Sequence, residues 1–222
     1  MAQKKLKLHW EILDKKRIDL LPKLKFLKDA GFYLAGGTAL ALQIKHRTSV
    51  DFDFYSENDF DSQKIHQLFQ SQNSKKLLVD TITENTLIIE IDNISISLFT
   101  YKYPLLKPFI ISDELQLASL EDIAAMKLIA IIQRGVKRDF IDLYFLSQIF
   151  GLGKIMNLTN KKYAGFNKYL ACQALVYFKD AEDDKKQKRE IEMIAPIEWE
   201  DVKKYFLQEV NKLKAQWAQN EN

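Results

Sequence analysis

The chain carries a single cysteine, Cys172, among 222 residues. One thiol excludes an intramolecular disulfide and any cysteine-based zinc site. No nucleophile motif surrounds it, so Cys172 reads as a small buried apolar group. No run approaches the ~18 apolar residues of a membrane span, and no membrane contact is expected. The opening MAQKKLKLHW has charge but no apolar h-region, so it does not read as a secretory signal. These absences point to a reducing, cytoplasmic setting. The net charge is only +3, too small to prove a nucleic-acid partner by itself. The lysines are clustered, however, and a local basic patch is compatible with the sequence. There is no internal repeat and no low-complexity tract.

What is present is apolar content of 47%, enough for a packed core in one domain or two closely joined halves. Residues 10–30 place Ile12, Ile18, Leu20, Leu21, Leu24, Phe26 and Leu27 at helical spacing. Pro22 breaks or kinks that helix, or marks its first turn. Phe32–Ala35 reads as a strand, Thr38–Lys45 as a helix with Thr38 as N-cap, and Val50–Tyr55 as a second strand. Helix 63–70 follows. Three β-type runs, 77–83, 86–91 and 94–101, turn at Glu84-Asn85 and Asp92-Asn93. Pro104 and Pro108 mark a connector. Ser119 then starts a strong helix, with Asp122 as capping-box partner and Gly135 as stop. Further helices are expected over 137–149, 153–163, 167–178 and 198–218. The charged stretch 180–190 reads as a solvated loop or frayed helix end. The organisation is a mixed sheet with flanking helices over 1–114, then a helical half over 115–222.

The stretch LAGGTALALQIKHRTSVDFD, residues 34–53, concentrates the chemistry. Gly36 and Gly37 lie at a strand-to-helix turn, where glycine lets backbone approach a ligand closely. The helix start offers free N–H groups and a positive dipole end, which suit phosphate. Asp51 and Asp53 share a strand face. Aspartate is disfavoured in strands, and two carboxylates facing a phosphate cradle suit a magnesium–nucleotide site. Arg47 is a basic helix-end residue, and His46 beside it reads as a surface residue. Lys127 falls among apolar neighbours in AAMKLIAII, and Arg134 follows two helical turns later on roughly the same face. Arg138, Asp139 and Asp142 form an RDxxD pattern at a helix start. Asp139 suits the helix dipole, and Arg138 is within reach of local pairing with Asp142. Tyr101, Tyr103, Tyr144 and Phe145 read as core aromatics with no assigned role.

The pattern GGTALAL-x4-R-x-S-x-DFDF resembles the signature of polymerase-β-like nucleotidyltransferases. Residues 120–146, LEDIAAMKLIAIIQRGVKRDFIDLYFL, and the later LVYFKDAEDD resemble one branch, the AbiEii/AbiGii toxins of type IV toxin–antitoxin systems. The resemblance covers nearly the whole chain. It implies an α+β fold: a polymerase-β-like nucleotidyltransferase core, and a helical C-terminal subdomain that completes the active-site cleft. It implies a nucleoside triphosphate substrate with Mg2+ (or Mn2+), and an acceptor hydroxyl on RNA, such as tRNA, or on protein. A cognate antitoxin is the implied protein partner. Gly36, Gly37, Thr38, Arg47, Arg134 and Arg138 would then contact the triphosphate. Asp51 and Asp53 would hold the metal, and Lys127 and Asp142 would serve the transfer.

One position departs from the superfamily pattern. A third carboxylate is usual on a later strand, and here the matching position is Ser97 in NISISLFTY. Three explanations stand open. Asp139 or Asp142 supplies the charge, or Glu90 does from one strand back, or the protein binds nucleotide without efficient transfer. A further reading is an RNA-binding accessory protein using Lys185, Lys186, Lys188, Arg189, Lys203 and Lys204.

Overall fold

The computed structural model describes residues 7–72, 77–183 and 192–220. The chain forms two compact units that divide between Ser119 and Leu120.

In the first unit, α1 (Lys15–Asp29) follows a 3-10 turn at Trp10–Ile12. Asp14 caps α1 by accepting from the Arg17 N–H at 2.9 Å. Pro22 lies inside α1 and does not end it. A mid-helix proline costs ~3 kcal/mol, while each fully buried leucine returns ~1.5–3 kcal/mol. Leu20, Leu21, Leu24 and Leu27, all buried, therefore outweigh it. Next come β1 (Tyr33–Ala35), α2 (Gly36–Ile44), β2 (Phe52–Ser56) and α3 (Ser62–Gln72). A meander of β3 (Leu77–Thr83), β4 (Thr86–Ile91) and β5 (Ile94–Thr100) follows. Its second turn uses Asp92 and Asn93, both at positive φ (53° and 64°), as a tight hairpin turn requires.

Two short strands, β6 (Ile110–Ile111) and β7 (Gln116–Leu117), lie where only a connector was expected. Two-residue strands carry no readable alternation. Because β7 pairs with β1, the sheet runs past residue 114, and the unit boundary falls five residues later than the sequence suggests. The described strands order as β3-β4-β5-β2-β1-β7-β6. The pairs β2–β5 and β1–β7 are parallel and the others antiparallel, so the sheet is mixed. Phe52, Phe54, Leu87, Ile89, Ile91, Ile94, Ile96 and Leu98 alternate onto the buried face. Asp53, Ser95 and Ser97 take the opposite, half-exposed positions.

The second unit is helical: α4 (Leu120–Gln133), α5 (Lys137–Phe150), α6 (Leu152–Lys162), α7 (Lys168–Leu175) and α8 (Trp199–Asn220). Buried Ile123, Ala124, Ala125, Leu128 and Ile131 wrap α4 on most sides, which makes it the central helix. It packs against α5, α6 and α7. Phe140 gathers Phe178, Trp199 and Phe206 at centroid distances of 5.4–5.8 Å. Helix α7 ends at Leu175, earlier than expected. Most of the charged stretch 180–190 lies outside the described residues.

Candidate active site

Strand β1 delivers the chain into the glycine pair. Helix α2 starts at Gly36 with Ala35 as its N-cap, so Thr38 lies inside the helix and is not the cap. The Thr38 hydroxyl is used differently. It donates to the Asp51 carbonyl and exchanges a 2.8 Å hydrogen bond with Ser49 Oγ. A buried threonine thereby ties the start of α2 to the chain leading into β2.

Each glycine lies against a specific neighbour. Gly36 has φ +69°, and a Cβ there would lie 3.0 Å from Asp53 Oδ2. A Cβ on Gly37 would collide with Arg47 Nη2 and lie 3.3 Å from Ser49 Oγ. Without side chains, the turn lets the Asp53 carboxylate and the Arg47 guanidinium close onto the first turn of α2. Arg47 is only 5% exposed. Its Nη1 donates to the Thr48 carbonyl at 2.9 Å. His46, expected at the surface, is 1% exposed. The chain turns at left-handed Lys45 (φ 51°) and carries His46 inward, which a helical pattern continued past Ile44 does not anticipate.

Asp51 immediately precedes β2, and Asp53 lies within it. Asp53 pairs in register with Ala35 on β1 and Ser97 on β5. Ser97 therefore occupies the strand position beside Asp53, and a serine there brings no charge. Glu90 pairs with Ser95 on the next strand. Among the described residues, no three metal-capable side chains gather together. The donors expected from the sequence in this unit are the two aspartates, Asp51 and Asp53. That set fits Mg2+ or Mn2+, hard ions that take one or two carboxylates and complete their shell with water and substrate phosphates. The surroundings hold both signs: carboxylates for a cation, and Arg47 with a helix start for an anion.

The second unit holds its own cluster. Lys127 Nζ on α4 lies 2.9 Å from Asp139 Oδ1 and 2.6 Å from Asp142 Oδ2 on α5. Both carboxylates are fully buried and Lys127 is 7% exposed. Arg134 adds Nε to Asp139 Oδ2 at 2.9 Å and Nη2 to Oδ1 at 3.1 Å. Burial pushes the Asp139 carboxyl up, but the charges of Lys127 and Arg134 outweigh it and hold it below the usual carboxylate range. Sequence spacing places Lys127 and Arg134 on one face, and the structure brings both to Asp139. Asp142 takes Lys127, whereas Arg138 stands half-buried in the first turn of α5. A second buried pair, Lys162 Nζ to Asp122 Oδ1 at 2.7 Å, joins α6 to α4 with both side chains fully buried.

Arg17 is the neighbour of the first site that its sequence setting conceals. Its Nε donates to the Val50 carbonyl at 2.7 Å. It lies in a charged KKR run 33 residues earlier, and no local pattern marks it. Of the basic residues considered for RNA, Lys185, Lys186, Lys188 and Arg189 lie outside the described residues. Lys203 is engaged by Glu182 and Glu200, both at 2.7 Å. No described helix is long and apolar enough to cross a membrane.

Comparison with known proteins matches this architecture. The family described as "Nucleotidyl transferase AbiEii toxin, Type IV TA system" matches residues 20–221. An uncharacterized protein of Aquifex aeolicus (strain VF5) is 40% identical over 185 residues, covering 81% of this chain and 86% of that protein. The crystal structure of JHP933 from Helicobacter pylori covers 96% of this chain and 98% of its own, with TM-score 0.54 and 18% identity. That of a putative nucleotidyltransferase from H. pylori covers 95% and 100%, with TM-score 0.57 and 17% identity. At such identities these two structures speak for the α+β nucleotidyltransferase fold alone. The family match spans nearly the whole chain, including the glycine turn, both aspartates and the Lys127 cluster, and the chain belongs to the AbiEii nucleotidyl transferase toxin family of type IV toxin–antitoxin systems.

Proposed function

We propose that the protein moves a nucleotide from a nucleoside triphosphate to an acceptor hydroxyl, with Mg2+ or Mn2+. The observation that supports this most is the approach of the Asp53 carboxylate and the Arg47 guanidinium to the glycine-opened start of α2. A metal–polyphosphate ligand needs those two charge types side by side. In this reading the N–H groups of the Gly36–Thr38 turn and the Arg47 guanidinium bind phosphate oxygens. Asp51 and Asp53 would hold the ion, and the chemistry it would supply there is to offset negative charge building up on the phosphates. The acceptor oxygen bonds to the α-phosphorus, pyrophosphate leaves, and the hydroxyl proton passes to a base or to water.

By the resemblance, Lys127 and Asp142 would serve the transfer, with Arg134 and Arg138 as further phosphate contacts. Asp139, held ionised between two cations, suits anchoring Lys127 better than accepting a proton. The acceptor class is RNA such as tRNA, or protein, and the partner is a cognate antitoxin.

A second reading is a nucleotide-binding module without efficient transfer. It is favoured by Ser97 in register beside Asp53. Titration of each triphosphate with magnesium, by calorimetry, tests the shared part of both. Binding that is lost in Asp51→Ala/Asp53→Ala supports the site. Binding that survives the double substitution removes the metal assignment. Turnover on any acceptor then decides for the enzyme over the module.

A further inference from the structure

We propose that Arg17, together with Asp14, is a positioning residue for Asp51. The proposal rests on the metal reading given above. It concerns a segment that the family match, residues 20–221, does not include.

Asp53 and Asp51 are held by different means. Asp53 is fixed by the sheet, with registered partners on both sides. Asp51 belongs to residues 48–51, which lie outside any helix or strand. Side chains hold the backbone there instead. Arg47 donates to the Thr48 carbonyl at 2.9 Å, Arg17 to the Val50 carbonyl at 2.7 Å, and Thr38 to the Asp51 carbonyl. Arg47 and Thr38 belong to the GGT…R motif itself. Arg17 is the outside member, and it grips the peptide that joins Val50 to Asp51.

The grip is itself fixed. The Arg17 guanidinium is ion-paired to Asp14, and the Arg17 side chain is only 12% exposed. The same Asp14 carboxylate caps α1 through the Arg17 N–H. Lys45 Nζ, at the other end of the loop, meets Glu11 Oε1 at 2.9 Å. The segment around residues 11–17 thus meets the chain both at the end of α2 and at the aspartate loop. Partners that orient a metal ligand without touching the metal typically set affinity by about 10–100-fold.

The test uses Mn2+ alone, with the free ion read by electron paramagnetic resonance. Arg17→Met should raise the Mn2+ dissociation constant about tenfold. Arg17→Lys, which keeps a donor within reach of the Val50 carbonyl, should recover most of that loss. In an Asp51→Asn background, where Asp53 still binds, Arg17→Met should have no further effect, because its action runs through Asp51. An equal loss in both backgrounds, or no loss in either, overturns the proposal. Mn2+ affinity untouched by Asp51→Asn would instead overturn the metal reading itself. If Arg17→Met fails to fold, Asp14→Asn serves in its place. Asparagine keeps the helix cap but removes the charge that fixes Arg17, and the same dependence on Asp51 is expected.

Discussion

Lys127→Met probes the buried charge cluster of the second unit. Lys127 Nζ is shared by two fully buried carboxylates at 2.9 and 2.6 Å. Methionine keeps the length and removes the charge. Arg134 stays on Asp139, but its side chain is 52% exposed and screened by solvent. Breaking a buried ion pair from one side costs ~3–5 kcal/mol. For a chain of this size, ~1 kcal/mol moves the melting temperature by about 2–4 °C. The expected fall is therefore about 6–20 °C by thermal denaturation. The pH dependence should change sign as well. In the parent protein Asp139 is depressed, so its contribution is present above the unfolded carboxylate pKa and is lost as pH falls through the folded value. Without Lys127 the buried carboxylates favour the protonated form. Stability should then rise, not fall, as pH is lowered toward the ordinary carboxylate range, which is the sign expected for a raised folded pKa. Adding Asp142→Asn should recover much of the loss. A fall under about 1 kcal/mol, or a double variant no better than the single, would show that the cluster is not the coupled unit its geometry implies.

Other outcomes follow from the same physics. Gly37→Ala, whose Cβ would collide with Arg47 Nη2, should weaken triphosphate binding at least about tenfold by calorimetry, given that one charge-assisted hydrogen bond is worth ~1.5–3 kcal/mol. Gly36→Ala should cost ~1–2 kcal/mol in denaturant titration, because φ +69° is left-handed backbone. Lys162→Met should destabilise by ~3–5 kcal/mol, while Lys162→Met/Asp122→Leu should return to near parent stability, since apolar replacement of both partners removes the buried charge. Parent protein should lose stability on acidification below about pH 4 as Asp139 is forced to protonate; a melting temperature flat to pH 2 would contradict the Asp139 geometry.

The sequence made the meander legible because Ile94, Ile96 and Leu98 alternate with Ser95 and Ser97 in β5 and Asp92-Asn93 supplies the turn. It hid β6 and β7, because two-residue strands have no period to read. The glycine–aspartate pairing was legible as a motif, yet the reason for each glycine was not. That reason is a contact with Asp53 or Arg47, formed only when β2 docks beside β1. His46 was misread because a single left-handed residue, Lys45, redirects the chain inward. Thr38 was misread as a cap because the helix begins two residues earlier, at glycines that offer no side chain to announce it. Lys127 stood out as a cation among apolar neighbours. Its pairing with both aspartates depends on how α4 packs against α5, and spacing within one helix cannot supply that. Arg17 was invisible, because its partner lies 33 residues away on a backbone carbonyl.

Nucleotide transfer at the Asp51/Asp53 site is read out by label transfer. Purified protein is incubated with magnesium, each labelled triphosphate in turn, and total tRNA, beside the Asp51→Ala/Asp53→Ala variant. Label on RNA or on protein that disappears in the variant is the predicted result, and it also names the nucleotide. Label that persists in the variant contradicts the site, and no label from any triphosphate in folded, nucleotide-binding protein contradicts transfer and leaves the Ser97 reading of a binding module.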